Sequence, residues 1–143
     1  MLGKIHFYFG IIIIIAFLFT GQYMHHKFDH LENMELMNRA LFRAGHLYIL
    51  LFGLINVSLG TYFKISETKY LKTIQLFASG VTLFATILVT YGFFAELPTE
   101  QIERPLTRIS LYLILLGVSV HGLVSLIKNR KKIEKQNHIE NEN

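Results

Sequence analysis

The chain contains no cysteine. That one absence removes disulfides, thiolate metal sites, CxxC redox chemistry, covalently attached c-type haem and thiol nucleophiles. It leaves the compartment open, because a membrane protein can do without disulfides anywhere. Proline is nearly as scarce, with Pro98 and Pro105 in one short stretch, and there is no Gly/Ser/Pro linker. No Gly-rich phosphate loop, GxSG motif or HExxH motif occurs, so the motif-borne routes to nucleotide, acyl-transfer and metalloprotease chemistry are missing. Ser119 lies two residues from His121, which points the two to different sides of a helix and excludes a serine–histidine pair there.

Full charge is also nearly missing from four long blocks: Ile5 to Met24, Gly45 to Ile65, Thr73 to Leu97 and Ile109 to Ile127. Each is close to the ~20 residues that cross ~30 Å of hydrocarbon as helix. Lys64 and Glu96 stand at block ends, where they reach the interface. The hydrophobic share, 52% of 143 residues, exceeds the roughly 45–50% of a soluble chain, and the excess sits in these blocks. The expected fold is therefore an all-α membrane protein, a single four-helix transmembrane bundle spanning residues 1–127. A polar, basic tail follows over 128–143 and is expected to continue the last helix for a turn or two before fraying. The net charge of +4 comes largely from that tail and reads as a topology signal meeting anionic headgroups, not as a nucleic-acid surface.

With four spans, both termini share a side with the second loop. That side carries nine Lys and Arg residues (Lys4, Lys64, Lys69, Lys72, Lys128, Arg130, Lys131, Lys132, Lys135), against five on the other (Lys27, Arg39, Arg43, Arg104, Arg108). The positive-inside rule then places both termini in the cytoplasm, and the expected location is a bacterial inner (plasma) membrane. Met1-Leu2-Gly3-Lys4 before an apolar run has the form of a signal peptide. The run is long for that and no small-x-small site follows it, so the segment is read as a retained helix. Between the first two spans, apolar and polar residues from Phe28 to Phe42 mix irregularly, the pattern of an amphipathic segment lying at the interface.

Lipid gives helices no hydrophobic reason to associate, so small and weakly polar residues mark the contact faces. Such faces are His6, Gly10, Ile13, Phe17 and Gly21 in the first span, and His46, Ile49, Gly53, Asn56, Gly60 and Phe63 in the second. In the third they are Ser79, Thr82, Thr86 and Thr90, and in the fourth Ser110, Ile114, Gly117, His121 and Ser125. Asn56 at mid-membrane is expected to face the bundle, because an amide in lipid lacks partners. The plain account of the hydroxyl stripe is packing, with each hydroxyl bonded back to its own helix; a polar cavity is the less economical one.

Two sets of residues carry candidate chemistry. At the outer face His25, His26 and His30, with His46 opening the second span and Glu96 closing the third, are candidate ligands of copper or zinc. Imidazole binds both metals, and Met24, Met34 and Met37 add thioethers suited to cuprous copper. The plainer reading is a solvated, lipid-facing loop, with Arg39 and Arg43 pairing with Glu35 or with headgroup phosphate. Inside the membrane His121 lies ~18 Å below the outer edge, and His6 comes within ~7–8 Å of its depth, so with tilt the two are candidate axial ligands. The layout is similar in outline, in helix count and buried histidine only, to the small four-helix membrane cytochromes b, whose paired-ligand pattern this chain does not clearly reproduce; haem b rests on the matching depths of His6 and His121. One hydrogen bond to Ser, Asn or a carbonyl would equally satisfy a neutral histidine. Three functions follow in order: an accessory or structural subunit of a larger membrane complex or homo-oligomer, a copper- or zinc-handling protein, and a haem b electron carrier.

Overall fold

The computed structural model describes residues 1–28, 31, 34–62, 64–96 and 103–141, with backbone alone beyond residue 130. Four helices follow one another: α1 (Leu2–Phe28), α2 (Leu36–Tyr62), α3 (Lys69–Ala95) and α4 (Pro105–Asn141). Among the described residues there is no strand. Each helix contains a window long and apolar enough to cross a membrane, as expected where lipid cannot satisfy an open backbone.

α1 and α4 overrun their apolar blocks at both ends, whereas α2 and α3 begin before theirs and stop short of Ile65 and Leu97. α2 begins at Leu36, not Gly45, so the proposed interfacial stretch is partly its first turns, where Leu36 and Met37 are exposed. Likewise α4 runs to Asn141, beyond the turn or two expected after Ile127. Backbone bonding within a helix persists outside hydrocarbon, whereas hydropathy reports only the span. Of the residues between α1 and α2, Leu31 is buried and left-handed, with φ 67°. That conformation is costly for a branched side chain, and its burial against Phe42 and Phe28 offsets the cost.

α1 packs along α2, α3 along α4, and the two pairs join through a smaller α2–α3 contact. The small residues permit this approach. A Cβ on Gly60 would lie 2.5 Å from the backbone nitrogen of Phe7, and one on Gly10 would lie 2.7 Å from the carbonyl of Gly53. On the other pair, a Cβ on Gly117 would collide with the Thr82 hydroxyl and approach the Ala78 carbonyl at 3.1 Å. The predicted contact faces are largely the buried ones: His6, Gly10 and Ile13; Ile49, Gly53 and Asn56; Ser79, Thr82 and Thr86; Ser110, Ile114, Gly117 and His121. Ser125 is exposed, and Phe63 lies outside the described residues.

Apolar side chains fill two regions. One, formed by Ile13, Leu31, Phe42, Ile49 and Phe93, lies toward the end carrying the α1–α2 and α3–α4 connections. There Phe42 stacks on Phe93 with ring centroids 4.9 Å apart. The second, Phe52, Ala85, Val89 and Ile114, joins α2, α3 and α4 at mid-height. Below it, toward the end carrying the N-terminus and the α2–α3 connection, the interior turns polar.

Candidate functional site

The polar interior is built on Asn56, which has no exposed surface. Its Nδ2 donates to the Phe52 carbonyl at 2.9 Å and to Thr86 Oγ1 at 2.8 Å. A carbonyl only accepts, so this fixes the amide orientation and leaves Oδ1 as acceptor for His6 Nδ1, at 2.7 Å. His6 thus carries its proton on Nδ1 and a lone pair on Nε2, which is buried with no hydrogen-bond partner. Thr86 in turn donates to Thr82 O, Thr82 to Ala78 O and Thr90 to Thr86 O. The stripe is therefore chiefly a set of hydroxyls bonded back to their own helix. It has two outward contacts: Thr86 accepts from Asn56, and Ser79 Oγ shares a 3.2 Å hydrogen bond with His121 Nε2.

The His6 and His121 rings lie 6.4 Å apart, centroid to centroid, and nearly perpendicular. The structure thus brings this sequence-predicted pair together. His6 is fully enclosed by protein and His121 is 5% exposed. Nε2, the nitrogen that would most simply meet iron, is on His121 already bonded to Ser79.

At the other end His46 Nδ1 lies 3.0 Å from Thr20 Oγ1. The Thr20 hydroxyl donates to the Phe17 carbonyl at 2.8 Å, so it accepts from His46, whose proton is thereby placed on Nδ1 and whose lone pair is on Nε2. Phe17 stacks on the imidazole at 4.1 Å. His46 lines a cavity of about 260 Å³ with Gly21, Met24, His25, Leu31 and Arg43. His26 does not line it; its ring is tilted against that of His25 at 4.8 Å. His30 lies outside the described residues.

Glu96 goes elsewhere. Its carboxylate accepts from Leu106 N–H (2.5 Å), Thr107 N–H (3.2 Å) and the Thr107 hydroxyl (2.6 Å). These are orphan donors of the first turn of α4, which an anion satisfies. Beside it Arg104 donates to the Leu41 carbonyl at 3.1 Å, tying the start of α4 to α2. Burial lowers the pKa of this guanidinium from its ordinary value, and the nearby Glu96 opposes the shift. Of the expected ligands, the structure brings His25 and His46 to one cavity and commits Glu96 to α4; among the described residues no three His, Asp or Glu side chains form a metal-holding group. Matching depth with the histidines makes Glu96 a candidate ligand in sequence, but depth says nothing of the neighbouring helix start that claims it.

Thr20 is a site residue that no motif in the sequence marks. It stands at helical spacing from Ile13 and Phe17 and so belongs to the α1 face on which Gly21 was counted. Gln75 is another; buried on α3, it accepts the Ser66 backbone N–H at 2.8 Å and holds the end of the α2–α3 connection. Comparison with protein families, with curated proteins and with solved structures finds no match to this chain.

Proposed function

We propose that this chain is a non-catalytic, structural or accessory subunit of a larger membrane assembly, seated in a bacterial plasma membrane with both termini and the α2–α3 connection in the cytoplasm. The observation that carries the reading is where the buried polar groups are spent. His6, Asn56 and Thr86 bond across α1, α2 and α3, Ser79 and His121 bond across α3 and α4, and Glu96 bonds the start of the next helix. Polar groups placed this way fix helix register and partner choice; they leave no complete acid–base or nucleophile set. α1 offers the surface for a partner helix. Only 17% of its apolar window is buried within the chain, against 44% for α3, and Tyr8, Ile12, Leu18 and Phe19 face outward.

The test is the mass of the particle extracted in native-lipid nanodiscs from its own membrane. The reading expects a second polypeptide in fixed stoichiometry, lost when Ile12 and Phe19 are replaced by bulkier or polar residues. A lone protomer carrying a Soret band or a stoichiometric metal would overturn it.

A second reading rests on the cavity at His46. Met24, His25 and His46 line it together, and His46 presents a fixed Nε2 lone pair. Two imidazoles and a thioether suit cuprous copper better than zinc, while Arg43 in the same wall opposes any cation. Titration of the purified protein with Cu(I) against a chelating competitor tests this. The reading expects one equivalent bound, reduced at least tenfold in affinity by His46→Ala and by Met24→Leu. No binding, or binding untouched by both changes, excludes it.

A further inference from the structure

We propose that the groove between α2, α3 and α4 at the end carrying the N-terminus is a binding site for one anionic phospholipid. Lys64 and Lys128 hold its phosphate, and a chain runs past Leu59, Val118 and Gly122 to His121. The groove encloses about 770 Å³, within the roughly 300–1,000 Å³ typical of ligand sites. Its chemistry is graded along its length. The two lysines come from different elements, the α2–α3 connection and the end of the α4 span, and both line the groove. Tyr62, Ser125 and Asn129 add hydroxyls and an amide, and Leu59, Val118 and Gly122 line the inner part together with Ser58, Gln75 and His121. From Lys128 to His121 is about two helical turns, or ~10 Å, which sets the headgroup at the interface and the chain beneath it.

Three features select an anion. Among the described residues no Asp or Glu lines the groove. Neither lysine forms an ion pair among the described residues. Gln75 has its oxygen committed to the Ser66 N–H, so what it has left to offer the groove is its NH2. The walls are thus rich in donors and positively charged, where a phosphate is stabilised and a cation is not. A free phosphate would satisfy the lysines but leave Leu59 and Val118 in the inner half uncovered, which favours a lipid. Gly122 opens that inner half: a Cβ there would meet nothing within 4 Å.

The experiment is native mass spectrometry of the full chain released from nanodiscs of phosphatidylcholine doped with phosphatidylglycerol. One phosphatidylglycerol is expected to stay bound. The double variant Lys64→Gln/Lys128→Gln is expected to weaken retention roughly 25-fold, at about fivefold per lysine. Gly122→Leu is expected to abolish retention with both lysines in place, because it fills the chain's path. Gly80→Leu, on an open face of α3 outside the groove, is expected to retain the lipid and serves as the folding control. Equal retention of phosphatidylcholine, retention unchanged in both groove variants, or displacement of the lipid by excess inorganic phosphate alone would each overturn the proposal.

Discussion

Asn56 is where the interior polar network converges, and its replacement isolates what that network contributes. Asn56→Leu leaves the Nδ1–H of His6 buried with no acceptor and removes the amide that Thr86 accepts from. Single polar contacts between membrane helices average only ~0.6 kcal/mol, but orphaning a buried donor costs ~1–3 kcal/mol. The expected loss is therefore about 2 kcal/mol in a detergent or bicelle unfolding titration. Thr90→Val, whose hydroxyl returns only to the Thr86 carbonyl of its own helix, is expected to stay within about 0.5 kcal/mol of the parent. That Asn56 faces inward was legible, because a bare amide in lipid is too costly. That His6 is its partner was not. Spacing within one helix gives a face, whereas the pairing depends on how α1 slides against α2, and no residue in either sequence states that register alone. The same limit applies to His46: its spacing marked a contact face, but Thr20 as the group that fixes its tautomer emerges only once α1 and α2 are aligned.

Two helix-scale devices hold the bundle, close approach at glycine and the anion at the start of α4. Gly60→Ala would place a methyl against the Phe7 backbone at 2.5–2.6 Å, which no rotamer change relieves, so α1 must move off α2. The expected cost is about 1–3 kcal/mol. Gly80→Ala, which meets nothing within 4 Å, is expected to be neutral or to stabilise by up to ~1 kcal/mol through helix propensity; the two variants unfolded side by side check the pair. Glu96→Ala removes the acceptor for the first donors of α4, and about 0.5–2 kcal/mol should go with it. Small-residue spacing made the glycine faces readable in advance. The helix ends were less so: hydropathy falls away at the membrane edge, while the hydrogen-bond ladder of α2 begins at Leu36 and that of α4 carries through to Asn141.

Over the whole molecule the architecture follows from solvent more than from packing. Four helices are apolar enough to cross a bilayer, yet even in α3, the most enclosed, less than half of the apolar window is buried within the chain. Large outward residues such as Phe77, Phe84, Leu115 and Leu123 are tolerable only against lipid or another protein. The orientation, with Lys and Arg concentrated on the side of the termini, is the reading on which the placement of both the His46 cavity and the lysine groove depends. The absence of cysteine makes that reading directly measurable. Single cysteines placed at Lys4, Glu67 and Glu103 can each be challenged in intact cells with a membrane-impermeant maleimide. Four crossings with cytoplasmic termini predict labelling of Glu103→Cys from outside, and of Lys4→Cys and Glu67→Cys only after permeabilisation. Labelling of Glu67→Cys and Glu103→Cys from the same side would contradict it.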